Sequence, residues 1–234
     1  MKQKAELSPA AGGRSFDYLT VQTEDEMSRQ TWKPGNMLYP LPAVLVSVAD
    51  REGNSNLFTV AWTGTVCSDP PMVSVSVRPE RYSYHMIDEV GEFVINLTTE
   101  ALAYATDYCG VVSGRNVNKW QKTGLTPIKG DHVQAPMIAE SPVNLECRVT
   151  QKLELGTHHM FLAEVLAVHV DDRYMDDTGK FHLNRAKPLV YSHGRYLTTG
   201  KELGTFGYSV RKKGEAAPSM KPGRKNGKRT GKRL

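Results

Sequence analysis

The pattern of hydrophobic and polar positions predicts a chain built mainly from short β-strands. Residues 43–49 form a nearly continuous apolar run, which is typical of a buried strand. Residues 56–65 and 72–78 are rich in β-branched side chains, and the Asp-Pro-Pro sequence at 69–71 predicts a tight turn between them. Side chains alternate between the faces of a strand. Each of these two strands therefore has one apolar face and one face of small or hydroxyl-bearing side chains.

The rest of the central region continues this β pattern with few helical interruptions. Two helices are predicted, one at residues 84–90 between an N-cap at Ser83 and a stop at Gly91, and one at residues 98–109. Further strands are predicted at residues 92–97, 143–155, 159–171 and 188–192. Six or more strands without β-α-β alternation predict a mainly β fold, an antiparallel barrel that is closed or partly closed.

The two ends of the chain differ in composition from the centre. Residues 1–32 are polar and predict an N-terminal arm, so the folded domain is expected at residues 33–209. Residues 211–234 contain ten Lys or Arg and one Glu, a net charge of +9. The other 210 residues carry 20 Lys or Arg against 24 Asp or Glu, a net charge of −4. The segment 210–234 is therefore predicted to be a basic, disordered tail, either a solubilising extension or a nucleic-acid contact.

The cysteines and the hydropathy pattern indicate the compartment. Cys67, Cys109 and Cys147 are widely spaced, and no Cys or His cluster has zinc-ligand spacing. No apolar run has the length of a membrane span, and the start of the chain lacks the apolar region of a signal peptide. The sequence predicts a cytoplasmic protein with reduced cysteines, without a metal site and without a membrane partner.

The polar strand face leads to a cluster of candidate anion ligands. Ser74 and Ser76 precede Arg78, and Arg81 and Ser83 follow at the start of the predicted helix. Free backbone N–H groups at a helix N-terminus and arginine side chains both suit a phosphate. The alternative is an ordinary helix cap beside two solvated arginines.

Two other features carry candidate chemistry. The long loop at residues 110–130 contains Lys119 and Trp120, which indicate either a functional loop or a surface charge anchored by a buried ring. His158 and His159 are expected to point to opposite faces of a strand, one structural and the other facing a ligand. Motifs for nucleophilic catalysis, for a P-loop or for a dinucleotide-binding fold are not found. Chemistry supplied by a bound cofactor fits this pattern.

Several short motifs occur in an order that resembles a known family. They are Asn56-x-x-Thr59-x-x-Trp62, Asp69-Pro70-Pro71, Arg81-Tyr82-Ser83, Gly91-Glu-Phe-Val-Ile-Asn96, Gly156-Thr157-His158, Pro188-Leu-Val-Tyr191 and Leu203-Gly-Thr-Phe-Gly-Tyr208. Over residues 35–209 this order resembles the flavin reductase-like, FMN-binding split-barrel family, and within it the flavoredoxin type. The resemblance implies a homodimer of split β-barrels that holds one non-covalent FMN per subunit at the interface.

The resemblance also implies roles for individual residues. The ring and ribityl chain would be flanked by Asn56, Phe58, Thr59, Trp62, Thr63, Gly64 and Thr65. The ribityl chain and phosphate would be held by Ser76, Val77, Arg78, Arg81 and Ser83. The reactive edge of the ring would be approached by Lys119, His158 and Tyr191, where Lys119 or His158 would stabilise negative charge on the reduced ring. Ser83 stands where the family usually has threonine, and Tyr191 where it usually has another aromatic residue.

The expected function is that of an FMN-dependent oxidoreductase, either a flavin reductase or a flavoredoxin-type electron-transfer protein. NADH or NADPH is the expected donor, and the redox partner is a small molecule or a protein. Two alternatives stay open. One is an FMN-binding electron carrier without NAD(P)H activity, and the other is a nucleic-acid-binding protein that acts through its basic tail.

Overall fold

The computed structural model describes residues 29–211. The predicted tail, beyond its first two residues, and most of the predicted N-terminal arm lie outside this range, and the domain limits at 33 and 209 stay a prediction. Residues 29–37 form a unit separate from the chain that begins at Leu38, and they contain no helix or strand. Within residues 29–211, no helix combines the length and the apolar character needed to cross a membrane.

Short strands dominate the described part of the chain, in agreement with the sequence pattern. They are β1 Leu41–Pro42, β2 Val44–Ala49, β3 Ser55–Val60, β4 Thr63–Ser68, β5 Pro71–Val77, β6 Glu92–Leu97, β7 Pro127–Ile128, β8 Met137–Ile138, β9 Val143–Leu155, β10 His158–Val170, β11 Leu189–Ser192 and β12 Arg195–Thr198. The α-helices are α1 Tyr84–Val90, α2 Ala103–Val111 and α3 Lys119–Thr123. Single 3₁₀ turns occur at Glu100–Leu102, Asp172–Tyr174, Leu183–Ala186 and Tyr208–Val210.

Seven strands form one antiparallel sheet in the order β3-β2-β6-β9-β10-β5-β4. β3 and β4 lie at opposite edges of this sheet, yet only Ala61 and Trp62 separate them along the chain. Val60 and Thr63 are three residues apart, so their Cα atoms lie at most about 11 Å from each other, and the sheet must curl until its two edges meet at this bend. The edges are joined by the chain and not by a strand ladder, which makes a split barrel and confirms the predicted mainly β fold class.

Apolar side chains fill the inside of the curled sheet and also cover part of its outside. The inner cluster includes Val46, Val75 and Phe161, which are fully buried or nearly so. A second cluster joins Leu45 and Leu57 of the outer face to side chains of α2 and α3, among them Trp120. Every residue of β2 is therefore buried, which explains the continuous apolar run at residues 43–49.

Three local predictions need correction. The strand predicted over residues 56–65 is two strands, because its halves pair with β2 and with β5 at opposite sheet edges. Trp62, which the pattern placed inside the first of these strands, therefore lies at the bend, with 40% of its surface exposed. The strand predicted to be last, β11, continues into a hairpin with β12. The helix predicted over residues 98–109 starts as a 3₁₀ turn at Glu100–Leu102 and continues as α2.

Candidate functional site

A groove lies against the bend between β3 and β4 and consists of two adjoining hollows. The first, here called the aromatic hollow, has a volume of about 300 Å³, and the second, the cationic hollow, has about 220 Å³. Six residues line both hollows, namely Phe58, Thr59, Arg78, Arg81, Gly110 and Val111. Because so much of their wall is common, the two hollows form one continuous site.

Aromatic side chains from three separate segments line the aromatic hollow. The rings of Trp62 and His158 are stacked, with centroids 6.1 Å apart and an interplanar angle of 10°. Tyr191 and Tyr196 face each other across the β11–β12 hairpin, with centroids 5.8 Å apart. The hollow thus offers flat apolar surfaces beside hydroxyl groups, which suits a planar, polar ring system.

The two adjacent histidines have different environments, as expected for neighbouring positions on a strand. His158 lines the aromatic hollow, whereas Nδ1 of His159 lies 2.7 Å from the hydroxyl of Tyr84 and has a structural partner. Burial lowers the pKa of His158, and the nearby positive charge of Arg78 lowers it further. His158 is therefore uncharged near neutral pH and offers the hollow a hydrogen-bonding ring instead of a cation.

Ser83 and Asn56 meet at the floor of the cationic hollow. The amide of Asn56 donates to the hydroxyl of Ser83 at 2.8 Å, and both side chains are buried. Ser83 stands before α1 as predicted, but its side chain does not cap the helix, since it makes no hydrogen bond to a helix N–H. The prediction of a capping side chain is therefore wrong, and the hydroxyl is directed to the hollow instead.

Lys119 places a desolvated ammonium group in the wall of the cationic hollow. The side chain is only 3% exposed, and its Nζ donates to the carbonyl oxygens of Leu57 and Cys109, each at 2.8 Å. Burial lowers the pKa of Lys119 to about 8, and Arg81 acts in the same direction. An ammonium group has three N–H donors, so one donor remains for a ligand.

Arg81 adds a second positive charge at this end of the groove. Its side chain is exposed and lines both hollows, and no ion pair of the described residues includes it. Arg78 also lines both hollows but is paired with Glu80 at 3.0 Å. Together with Lys119 these arginines concentrate positive charge beside hydroxyl and amide groups, which is the composition of an anion site.

The structure brings most of the sequence-predicted site residues to this groove. Those that line a hollow are Asn56, Phe58, Thr59, Trp62, Ser76, Val77, Arg78, Arg81, Ser83, Lys119, His158 and Tyr191. Thr63, Gly64 and Thr65 belong to β4 and line neither hollow. Lys119 lines the cationic hollow, whereas His158 and Tyr191 line the aromatic one. The roles of all these residues toward a cofactor stay predictions.

Two glycines of the groove were not predicted as site residues. A Cβ at Gly110 would approach the side chain of Thr59 to 3.2 Å, and one at Gly114 would lie 2.4 Å from Oδ1 of Asn56. Small residues are needed here because the last turn of α2 and the chain that follows it pack directly against β3. The length of the loop at 110–130 indicated a functional segment, but spacing alone does not show which glycines approach a strand.

Asp131, Glu146 and His169 form a group of potential ligand atoms, although no metal site was predicted. The atoms lie within 4.8 Å of one another. The fully buried carboxylate of Glu146 accepts from the backbone N–H groups of residues 131, 132 and 133 and lies 2.6 Å from Nε2 of His169. Burial acts to raise the pKa of Glu146, but these donors outweigh it and lower the pKa to about 2. Since protein donors already use both oxygens, the geometry is that of a structural anchor for a loop.

The structure combines a split barrel with a groove that has one cationic and one aromatic end. This combination defines a small-molecule-binding protein of the split-barrel class. The chain belongs to the flavin reductase-like family, because the family model described as "Flavin reductase like domain" matches residues 36–200. The resemblance inferred from the short motifs is thereby confirmed.

Two solved structures and one relative show how close this likeness is. Flavoredoxin of Desulfovibrio vulgaris (Miyazaki F) is 32% identical, with a TM-score of 0.73 over 79% of this chain and 100% of that one. Flavoredoxin from Methanosarcina acetivorans is also 32% identical, with a TM-score of 0.68 over 78% of this chain and 100% of that one. An uncharacterised protein of Archaeoglobus fulgidus is 35% identical over 69% of this chain and 89% of its own length.

Proposed function

We propose that this protein is an FMN-dependent oxidoreductase, a flavin reductase or a flavoredoxin-type electron-transfer protein. The observation that carries the proposal is the groove, which combines a cationic hollow and an aromatic hollow in a member of the flavin reductase-like family. Similarity to two flavoredoxins at 32% identity supports the flavin as ligand.

The donor set of the groove fits FMN part by part. The dianionic phosphate suits the cationic hollow, where Arg81, Ser83 and Lys119 offer charge and hydrogen-bond donors. The ribityl hydroxyl groups suit the wall that contains Thr59 and Ser76. The flat ring suits the aromatic hollow with its stacked Trp62 and His158.

The chemistry that a bound flavin supplies is the transfer of hydride or electrons between a donor and an acceptor. The side chains of this protein bind and orient it. We assign Lys119 to the phosphate and not to the reactive edge of the ring, because it shares its hollow with Ser83 and Arg81. His158 and Tyr191 remain beside the ring in this proposal, where they limit the approach of water and of the redox partner.

The absorption spectrum and the reaction with nicotinamides test this function. The purified protein, supplied with FMN, is expected to retain a yellow, flavin-type spectrum after gel filtration. Stopped-flow mixing with NADH or NADPH then measures the loss of flavin colour, and rapid bleaching supports a flavin reductase. A protein that retains no flavin contradicts the proposal.

A second candidate is an FMN-binding electron carrier that does not react with NAD(P)H. Similarity to two structures described as flavoredoxins favours this candidate. In the same stopped-flow experiment this candidate predicts no bleaching by either nicotinamide, but rapid reduction by dithionite.

The homodimer, the cytoplasmic location and the role of the tail belong to the same proposal. Large apolar side chains near the end of the described chain support the dimer, since Leu203 is 81% exposed and Phe206 is 100% exposed.

The basic tail lies outside the described residues. Deletion of residues 212–234 and measurement of RNA or DNA retention at low salt tests its nucleic-acid contact, and unchanged retention would exclude it.

A further inference from the structure

One carboxylate lies among the positive charges of the cationic hollow. Glu80 lines this hollow together with Arg78, Arg81 and Lys119, and it is the one acidic residue among the described residues that line it. We place the phosphate of FMN in the same hollow. A carboxylate beside a dianionic phosphate opposes binding through charge repulsion, so Glu80 is not explained as a ligand of the phosphate.

The connection between β5 and α1 fixes the position of Glu80. Residues 78–81 form a turn in which the backbone N–H of Arg81 donates to the carbonyl oxygen of Arg78 at 3.0 Å. Proline occupies position 79, the second place of this turn, which its restricted backbone favours. The N–H of Tyr84 then donates to the carbonyl oxygen of Arg81 at 2.9 Å. Both arginines and Glu80 therefore belong to one short, hydrogen-bonded segment at the wall of the hollow.

Glu80 contacts one edge of the Arg78 guanidinium. Its Oε1 lies 3.0 Å from Nε of Arg78, and the two side chains are 63% and 46% exposed. An ion pair this exposed is weak, because water solvates both charges. A phosphate can offer the guanidinium two charge-assisted hydrogen bonds at once. The pair is therefore expected to open when the phosphate of a ligand enters the hollow.

The other two cations of the hollow have no such partner. The ion pairs found within residues 29–211 include neither Arg81 nor Lys119. Lys119 is held by two backbone carbonyl oxygens, which do not neutralise its charge. Glu80 thus acts on one of three cations. With Lys119 protonated, three positive charges and one negative charge leave +2 in the hollow, which matches a phosphate dianion.

We propose that Glu80 competes with the flavin phosphate for Arg78, so that the protein holds FMN less tightly than its three cations alone would allow. This inference rests on the proposed function, because it assumes a flavin phosphate at Arg81, Ser83 and Lys119. In the free protein Arg78 is paired with Glu80. When FMN binds, Arg78 turns to the phosphate and Glu80 turns to solvent. Riboflavin has no phosphate and leaves the pair intact.

Titration of flavin-free protein with FMN and with riboflavin, at one ionic strength, tests this role. Glu80→Gln removes the negative charge and keeps the size of the side chain. It is expected to tighten FMN binding about fivefold, the fold-change that corresponds to one exposed ion pair. Its affinity for riboflavin should stay within about twofold of wild type. Glu89→Gln is the matched control, because Glu89 is an exposed carboxylate of α1 that lines neither hollow, and it should change neither affinity.

Removal of Arg78 separates competition from repulsion through space. In an Arg78→Ala background Glu80 has no arginine to withhold from the phosphate. Glu80→Gln should then tighten FMN binding at most about twofold, so the two substitutions should not be additive. An equal, fivefold gain in both backgrounds would show that Glu80 acts on the phosphate directly, and would overturn the competition for Arg78.

The other outcomes separate this inference from the proposed function. If FMN binds but Glu80→Gln leaves its affinity unchanged, Glu80 does not compete with the phosphate. Weaker FMN binding in this variant also overturns the inference, since Glu80 would then orient Arg78 for the ligand. Equal tightening of FMN and riboflavin does so too, because riboflavin has no phosphate. If wild type binds neither flavin, the proposed function fails, and this inference fails with it. Riboflavin affinity in each variant also reports whether the variant is folded.

Discussion

Lys119 shows how one buried charge sets the properties of the cationic hollow. Its ammonium group is held by the carbonyl oxygens of Leu57 and Cys109, which fix its position without neutralising its charge. Burial explains why its pKa falls from 10.5 to about 8. A lysine in this state favours an anionic ligand. A phosphate that contacts the ammonium group replaces the water lost on burial and stabilises the charged form of the side chain.

The binding of FMN is therefore expected to depend on pH through Lys119. The free protein loses the lysine proton as pH rises through about 8, whereas the complex retains it, so the Kd for FMN should rise about tenfold between pH 7 and pH 9. The phosphate does not contribute, because its second pKa is near 6. Fluorescence titration across this pH range measures the effect.

Two substitutions of Lys119 control this measurement. Lys119→Met should bind FMN more weakly at pH 7 and show no rise in Kd from pH 7 to pH 9. Lys119→Arg keeps a permanent charge and should bind FMN with little pH dependence. This variant therefore tests the role of the Lys119 proton even if the methionine variant is unstable. A wild-type Kd that is flat over this range would contradict the assignment.

The stability of the ligand-free protein should increase with pH, whereas its affinity for FMN should decrease. The folded pKa of Lys119 lies below its unfolded value, so the unfolded state binds the additional proton between about pH 8 and pH 10.5. The free energy of unfolding contributed by this group therefore increases as pH rises through that window.

Gly114 is the residue at which a single methyl group should disturb the phosphate end. A Cβ there would lie 2.4 Å from Oδ1 of Asn56, so Gly114→Ala must displace the amide that donates to Ser83. We expect FMN affinity to fall about tenfold, the effect of one lost hydrogen bond in a desolvated site. Gly200→Ala is the matched control, since a Cβ there meets no atom within 4 Å. Equal FMN affinities in Gly114→Ala and Gly200→Ala would show that the close approach of Gly114 to Asn56 does not support phosphate binding.

At the scale of elements, the strands were predictable because their periodicity is local. The pattern over residues 143–155 and 159–171 predicted the long pair that appears as β9 and β10. The break at Ala61 and Trp62 was not predictable, because periodicity records which residues alternate and not which strand each half pairs with. The burial of Lys119 was hidden for the same reason, since its partners are carbonyls of β3 and α2.

The segment at residues 131–133 is attached to β9 by the carboxylate of Glu146, and this attachment can be tested. Glu146→Gln replaces one acceptor oxygen by an NH₂ group that would face N–H donors, so the free energy of unfolding should fall by about 2–4 kcal/mol. Urea unfolding measures it. Glu140→Gln is the control, because Glu140 accepts only from the exposed N–H of Thr126 and should lose little stability.

The pH dependence of the same variant gives an independent check. The pKa of Glu146 is about 2 in the folded protein, below its ordinary value of 4.5. Its stabilising effect is therefore present above pH 4.5 and is lost as pH falls toward about 2. The difference in stability between wild type and Glu146→Gln should shrink over that acidic range, and a constant difference would contradict the anchor.

At the scale of the whole molecule, the exposed apolar side chains predict association. Light scattering after gel filtration should give twice the chain mass of 26.0 kDa. The double variant Leu203→Ser and Phe206→Ser should shift the protein toward monomer, because it removes two large exposed apolar side chains. A monomeric wild type at micromolar concentration would contradict the proposed homodimer.

The curled sheet also explains how distant segments meet. β3, the loop after α2, the start of β10 and the β11–β12 hairpin contribute to one groove because the two sheet edges come together at the bend. We propose that this groove binds a flavin with its phosphate at Arg81, Ser83 and Lys119. A ligand pair that differs only in the phosphate tests this claim most directly.

The decisive measurement compares the affinities of FMN and riboflavin for wild-type protein and for Arg81→Ala. Wild type should bind FMN about 100-fold more tightly than riboflavin, because only FMN can make charge-assisted contacts in the cationic hollow. Arg81→Ala should weaken FMN binding about tenfold and leave riboflavin binding unchanged. Equal affinities for the two flavins in wild type, or no saturable binding of FMN, would contradict the account.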